Sequence, residues 1–117
     1  MSMERVFESA RFLMPADGDP VRSVVVETSE SVVVAWHVAP GQMIRPHVHP
    51  QGQDTWTVLS GQGDYILNGD GNTRPIKAGD ILVARTNDVH GVFNSGAQPL
   101  IFISVVSPAS AGYELLS

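Results

Sequence analysis

The hydrophobic positions of the chain form short runs that are rich in Val, Ile, Leu and aromatic residues. Breaks such as APGQ, SGQG, NGDGN and KAGD separate these runs and recur roughly every ten to twenty residues, as in sheets built from hairpins. This pattern is typical of an all-β antiparallel sandwich or barrel. At least seven strands are predicted, at residues 24–27, 31–38, 55–59, 64–67, 81–84, 92–94 and 100–106.

Helical segments of useful length are missing from the pattern. Only residues 4–14 and 110–116 could be locally helical, and the alternatives are an edge strand for the first and a loose tail for the second. The chain has 117 residues, no internal repeat and no long polar spacer, so a single domain spanning residues 1–117 is expected.

Composition and charge exclude several classes of protein. Hydrophobic residues make up 43% of the chain and charged residues 16%, a balance that predicts a folded domain. The net charge of −5 and only seven Lys and Arg residues argue against nucleic acid and anionic membranes as partners. The longest apolar runs are strand-sized, and the N-terminal residues lack the pattern of a signal peptide, so a cytoplasmic location is expected.

The stretch PHVHPQGQD carries the first candidate chemistry. His47 and His49 are two residues apart, so on a strand they project to the same side. Asp54 shares a face with Trp56, and a hairpin through residues 50–52 is expected to bring Asp54 opposite the two histidines. Since the chain has no cysteine, any metal ion must be held by nitrogen and oxygen atoms.

His90, in GDILVARTNDVHGVFN, is the third candidate ligand. Imidazole and carboxylate suit Fe, Mn, Ni, Co, Cu or Zn, and the residues do not choose among these ions. The alternative interpretation of a His-x-His pair, taken alone, is a polar or hydrogen-bonded strand. His37 is not counted as a ligand, because Trp36 and Val38 take the opposite face; we expect it outside the barrel or at a subunit contact.

Both stretches resemble the two sequence motifs of the cupin superfamily. In residues 41–61 the positions of Gly41, His47, His49 and Gly61 match the first motif, and Asp54 occupies its glutamate position. In residues 79–94 the positions of Gly79, His90 and Asn94 match the second motif, and the segment between the motifs is short, as in small single-domain cupins.

The resemblance implies a fold, a site and an assembly. The implied fold is an antiparallel jelly-roll barrel, or double-stranded β-helix, of six to eight strands. Carried over residue by residue, it nominates His47, His49, Asp54 and His90 as ligands of one divalent transition metal ion inside the barrel. It also implies a homodimer, for which residues 1–20 would supply an edge strand or a dimer arm.

Three residues depart from the family pattern. Asp54 is one methylene shorter than glutamate, so it could bind the ion directly, bind it through a water, or leave a site of three histidines. Gln53 is the second choice as ligand, because strand alternation turns it to the opposite face. Asn87 replaces a glycine and tolerates the left-handed backbone that the turn requires. Arg85 replaces a proline; it would bind a substrate carboxylate or enolate if it faced the barrel mouth, and the alternative is a solvent-facing side chain.

Trp56, Met43 and Phe93 are the remaining candidates for the substrate pocket, and the alternative for the aromatic residues is a place in the core.

Three functions stay open. The first is a metal-dependent enzyme, an oxygenase such as a dioxygenase or an isomerase-like cupin, acting on a small polar organic molecule. The second is a metal-bearing module that binds or senses a small molecule without catalysis. The third is a metal-free barrel like the sugar-nucleotide epimerases, with a histidine as base, which the three imidazoles argue against.

Overall fold

The computed structural model describes residues 4–116, and in that range the regular structure consists of ten β-strands and one 3-10 turn at Ser9–Phe12. The strands are β1 (Ser23–Glu27), β2 (Val32–Val38), β3 (Met43–Val48), β4 (Gln53–Ser60), β5 (Gln62–Ile66), β6 (Thr73–Lys77), β7 (Ile81–Ala84), β8 (His90–Phe93), β9 (Leu100–Ser107) and β10 (Glu114–Leu115). The prediction of an all-β fold is confirmed.

The strands form two antiparallel five-stranded sheets. The first sheet has the order β1-β2-β9-β4-β7, and the second has the order β10-β3-β8-β5-β6. Neighbours in space are therefore mostly distant in sequence, as in a jelly roll or double-stranded β-helix. The two sheets enclose one interior, and the residues that face it come from both.

Alternation along the strands decides which side chains fill this interior. On β4 the residues Asp54, Trp56 and Val58 are buried, while the intervening residues are more exposed. The indole of Trp56 stacks on the ring of Phe102 from β9, with 4.2 Å between ring centroids. Burying each such large apolar side chain contributes about 2–3 kcal/mol. The core cluster consists of Val38, Trp56, Val58, Tyr65, Ile76, Val92, Leu100 and Phe102.

The expected count of six to eight strands is too low. Two of the additional strands, β3 and β6, contain a proline and few buried apolar residues, so the hydrophobic pattern did not mark them. Pro75 is tolerated because β6 is the edge of its sheet. Pro46 lies where the register between β3 and β8 is irregular, between Ile44 and His47.

The two terminal segments match neither of the alternatives predicted for them, a local helix or, respectively, an edge strand and a loose tail. The described part of the N-terminal segment, residues 4–20, has a single 3-10 turn and no strand, and residues 1–3 of the expected arm lie outside the described residues. Near the C-terminus, Glu114 and Leu115 pair with Val48 and His47 as β10. This segment is therefore neither a helix nor a loose tail. Across residues 4–116, no helix is long and apolar enough to cross a membrane.

The expected hairpin between the His pair and Asp54 is wrong. β3 pairs with β8 and β10, whereas β4 pairs with β7 and β9 in the other sheet. The bend at residues 50–52 thus carries the chain from one sheet to the other. Gly52 is required there, because a Cβ atom would collide with the carbonyl oxygen of Ser107. Asp54 consequently approaches the histidines across the interior.

Candidate metal centre

The four candidate ligands come together at one place between the sheets. His47 lies on β3, His49 follows the end of that strand, His90 begins β8, and Asp54 is near the start of β4. All four are buried, and their ligand atoms lie within 4.8 Å of one another. The turn before β8 is tied to the same place, because Asn87, with φ at 64° as its left-handed position requires, donates its backbone N–H to the His49 carbonyl.

Each histidine is oriented by a backbone carbonyl that accepts a hydrogen bond from its Nδ1. A carbonyl oxygen can only accept, so Nδ1 carries the proton and the lone pair of Nε2 faces the interior. The acceptors, in the order His47, His49 and His90, are the carbonyls of Arg45 at 2.7 Å, Gly112 at 2.7 Å and Asp88 at 3.0 Å. Three neutral imidazoles in this tautomer are prepared to bind a cation.

Asp54 completes the group from the opposite sheet. Its Oδ2 lies 3.3 Å from Nε2 of His49 and 3.1 Å from Nε2 of His90, so the shorter side chain does reach the histidines. The hydroxyl of Ser104 donates a hydrogen bond to Oδ1 at 2.5 Å. Ser104 was not predicted, although it is a polar residue at an inward position of β9 beside Phe102, and that signal was present in the sequence.

The donor set fits a divalent metal ion. With both Nδ1 protons committed to carbonyls, the Nε2 atoms of His49 and His90 and the Oδ2 atom of Asp54 are all acceptors directed at one another. Such a buried group is unfavourable unless one imidazole takes up a proton or a cation lies between them. Nitrogen and carboxylate oxygen are suitable ligands for borderline transition metal ions. The residues present thus fit the metal that the sequence predicted.

The pKa values of the group reflect burial and mutual contact. Burial, followed by the nearby His90, lowers the pKa of His47 to about 4. For His49, burial is the largest single effect and acts to lower the pKa, but the contact with Asp54, the hydrogen bond with the Gly112 carbonyl and the charge of Asp54 together raise the pKa above its ordinary value. Burial acts to raise the pKa of Asp54, yet the contacts of its carboxylate with the His49 and His90 imidazoles and the hydrogen bond from Ser104 hold it well below the ordinary value. Asp54 is therefore an anion at neutral pH.

A cavity of about 550 Å³ opens onto three of the four candidate ligands, His47, His49 and Asp54. Its wall is mostly apolar, and the only described arginine or lysine in it is Arg22. The lining residues are Arg22, Val32, Val34, Trp36, Ile44, His47, His49, Asp54, Trp56, Ser104, Val106, Ala109, Gly112 and Tyr113. In the described part of the chain, the indole Nε1 of Trp56 is buried without a hydrogen-bond partner. A cavity of this size accommodates a small organic molecule.

The other predicted pocket residues lie elsewhere. Trp56 lines the cavity, whereas Met43, Arg85 and Phe93 are exposed and are not among its lining residues. Phe93 lies outside the cavity because side chains alternate along β8 and its neighbour Val92 faces the core. Arg85 follows the end of β7 and is solvent-facing, which was the alternative for this residue.

Two further predicted positions agree with strand alternation. Gln53 is exposed, on the opposite face of β4 from the buried Asp54. His37 is half-buried on β2 and is not part of the cavity wall.

The C-terminal segment supplies contacts that sequence reasoning missed. The Tyr113 ring lies 5.0 Å from the His47 ring, and the Gly112 carbonyl orients His49. The segment is held over the site because the backbone N–H of Leu116 donates to the carbonyl of Pro46. No spacing or periodicity in the sequence links these residues to the histidines.

A comparison with family models matches residues 34–106 to the cupin domain. The chain belongs to the cupin family. The match contains all four candidate ligands and β2 through most of β9. The resemblance inferred from the two motifs is therefore confirmed.

Three known proteins illustrate the relationship. The pectin degradation protein KdgF of Dickeya dadantii is 28% identical over 97 residues, covering 82% of this chain and 86% of that protein. An oxalate-binding protein of Thermotoga maritima is 30% identical over 67 residues, covering 57% of this chain and 54% of that protein, so this cupin matches about half its length. The crystal structure of an uncharacterized conserved protein with a double-stranded β-helix domain from Klebsiella pneumoniae has a TM-score of 0.94 and 50% identity, covering 98% of this chain and 99% of that one.

Proposed function

We propose that this cupin is a metal-dependent enzyme, an oxygenase or an isomerase-like protein, that acts on a small organic molecule. The observation that carries the proposal is the convergence of three Nδ1-protonated histidines and one carboxylate at the base of an organic-sized cavity. Such a site has both ion ligands and room for a reactant. A metal-free base mechanism needs a single histidine and gives no reason for three to converge.

The ion would be held by His47, His49, His90 and Asp54, and it supplies Lewis-acid chemistry toward a substrate oxygen when bound. The residues around it have separate tasks. Ser104 fixes the Asp54 carboxylate through its hydroxyl. The buried N–H of Trp56 is a donor that an oxygen acceptor within the site can use. The apolar wall excludes water and thereby strengthens the electrostatic interactions at the site.

The first test is elemental analysis of the protein purified without added metal. We expect close to one transition metal ion per chain, because the four candidate ligands form a single site. Oxygen uptake and product formation are then measured against enediols, diketones and phenolic compounds, with the chelated protein as the control. Turnover that disappears on chelation and returns with one metal supports the proposal, whereas a protein with no bound metal contradicts it.

A second function, binding without catalysis, is favoured by the similarity to the oxalate-binding protein. In this alternative the same ligands hold an ion whose remaining positions bind a small molecule reversibly. Calorimetry with oxalate on metal-loaded and chelated protein distinguishes the two functions. Metal-dependent binding with no turnover of any compound tested would favour the binding module over the enzyme.

We also propose that the protein is a homodimer that uses its N-terminal segment. Val6 is 87% exposed and Met14 is 52% exposed, and the rings of Phe7 and Phe12 pack against each other at 6.2 Å nearby. An exposed apolar segment of this kind is typical of a contact surface. Sedimentation equilibrium should give twice the chain mass, and deletion of residues 1–14 should give a monomer; a monomeric full-length chain would contradict the proposal.

A further inference from the structure

Among the described residues, Arg22 is the only arginine or lysine in the wall of the cavity, and it is not one of the candidate ligands. Arg22 immediately precedes β1, and Ser23 pairs with Ala35 of β2. The preceding position therefore stands opposite Trp36, and side chains opposite each other in a sheet share a face. Since Trp36 lines the cavity, this register places Arg22 on the same face, and Arg22 both lines the cavity and is exposed to solvent, as at a cavity mouth.

Arg22 and Asp54 lie at opposite borders of the first sheet's part of the wall. The strand order β1-β2-β9-β4 separates their backbones by three strand spacings, and the register places Arg22 in the row of Trp36, Phe102 and Val58, four residues along β4 from Asp54. The long side chain spans part of this gap, because the charge of Arg22 acts to lower the pKa of His49. Inward residues of the two intervening strands cover this space. Val32 and Val34 come from β2, and Val106 comes from β9.

Arg22 is available to bind an anion. Among residues 4–116 it forms no ion pair and no side-chain hydrogen bond, although the chain carries an excess of acidic residues. Within the part of the chain that the structure describes, Asp54 is the only carboxylate in the cavity wall, and the histidines and Ser104 already engage it. A guanidinium in this position matches a carboxylate by two parallel hydrogen bonds.

We propose that Arg22 binds the carboxylate of the substrate, whose other end places an oxygen at the metal centre and whose middle is apolar. This inference rests on the proposed function and specifies its substrate class. The valine wall disfavours a polyhydroxylated sugar acid, because the hydroxyls would lose hydrogen bonds to water without replacement. Oxalate has no apolar middle and is therefore the shortest probe of this class.

Dicarboxylates of increasing length are suitable probes, because one carboxylate binds the ion while the other reaches Arg22. Binding of oxalate, succinate, adipate and suberate to the metal-loaded protein is measured by the change in tryptophan fluorescence. Both tryptophans of the chain, Trp36 and Trp56, line the cavity, so the signal reports on this site. Arg22→Gln is compared with Arg74→Gln, a matched loss of charge on the exposed strand β6.

We expect Arg22→Gln to weaken adipate binding about fivefold, as for a partly hydrated ion pair, and to weaken oxalate binding less. Arg22→Lys should lie between the wild type and Arg22→Gln, because the charge remains but the paired hydrogen bonds do not. Arg74→Gln should change neither ligand. Equal weakening by the Arg22 and Arg74 changes, or no effect of Arg22→Gln on any probe, overturns the inference.

A metal-free arm separates this inference from the proposed function. Hexanoate is titrated into the chelated protein, where Arg22 and the apolar wall remain beside the metal-free ligand residues, with 1-hexanol as the uncharged control. We expect Arg22→Gln to weaken the binding of hexanoate and to leave the binding of hexanol unchanged. If the native protein contains no metal, the proposed function fails, and this experiment still decides whether Arg22 binds carboxylates. A hexanoate affinity that is unchanged in the Arg22→Gln variant overturns the inference.

Discussion

The two sheets contribute different kinds of groups to the metal centre, and they fix them in different ways. The second sheet presents His47 and His90, with His49 just beyond the end of β3, and each imidazole is held by a backbone carbonyl. The first sheet presents Asp54, which is held by the hydroxyl of Ser104 on the neighbouring strand β9. One side of the site is therefore oriented by main chain and the other by a side chain.

This difference has a consequence for mutation. A backbone carbonyl remains when its residue is substituted, so the histidine orientations survive changes at Arg45 or Asp88 as long as the backbone keeps its path. Apart from its contacts with the other candidate ligands, Asp54 is oriented by the hydroxyl of Ser104, which a single substitution removes. The histidine side should be robust and the carboxylate side sensitive to changes in the supporting residues.

Loss of a histidine ligand has the largest expected effect. His90 is fully buried and its Nε2 contacts Asp54. His90→Ala should reduce bound metal by at least about tenfold, because even the loss of a group that supports a ligand typically lowers metal affinity by this factor. Elemental analysis of the purified variant checks this. His37→Ala is the matched control on the other face of β2 and should keep its metal; equal metal in both variants would place the ion elsewhere.

The pH dependence of the metal-free protein tests the burial of the histidine side. The pKa of His47 is about 4 when folded and about 6.5 when unfolded, so the unfolded chain binds the proton first. Stability should therefore fall as the pH decreases from 6.5 to 4, by up to about 3 kcal/mol. The raised pKa of His49 acts above this window and the lowered pKa of Asp54 acts below it.

Urea unfolding of the chelated protein between pH 7 and pH 4 measures this loss. His47→Gln removes the titrating group and should flatten the profile in that window. A wild-type profile that is already flat from pH 6.5 to 4 would mean that His47 is not desolvated as the structure has it.

Lengthening the carboxylate examines the other side of the comparison. Asp54 is only 4% exposed and already contacts two histidines, so Asp54→Glu should overpack the site and cost about 1–3 kcal/mol in the free energy of unfolding. Asp54→Asn keeps the size and removes the charge, and should mainly weaken metal retention. A glutamate variant that is as stable as the wild type and binds metal more tightly would show that the aspartate is too short for its role.

Removal of the supporting hydroxyl has the smallest expected effect. Ser104→Ala should lower metal affinity about tenfold and stability by about 1 kcal/mol, because Asp54 loses its orienting hydrogen bond. Arg45→Ala is the matched control on the histidine side, where the accepting carbonyl remains. A competitive chelator titration compares the two variants, and equal affinities would remove the proposed difference between the sheets.

Much of the fold and the ligand set could be predicted from local patterns. Alternation marked the inward residues of β2, β4 and β9, and the two motifs nominated the histidines and Asp54. The strands β3 and β6 were not predicted, because proline and polar residues interrupt their hydrophobic pattern. The sheet to which both belong tolerates these residues. The pocket residues were less predictable, because Arg22, Gly112 and Tyr113 reach the cavity from segments with no sequence signal.

The sequence by itself determined which side chains of a strand share a face and which residue types can bind a metal ion. Both properties are local, because they follow from a two-residue repeat and from side-chain chemistry. Only the tertiary structure decided that Asp54 comes from the sheet opposite the histidines, with Ser104 behind it, and that Arg22 faces the same cavity. Those relations depend on which distant strands pair, and pairing is fixed by the packing of the whole chain.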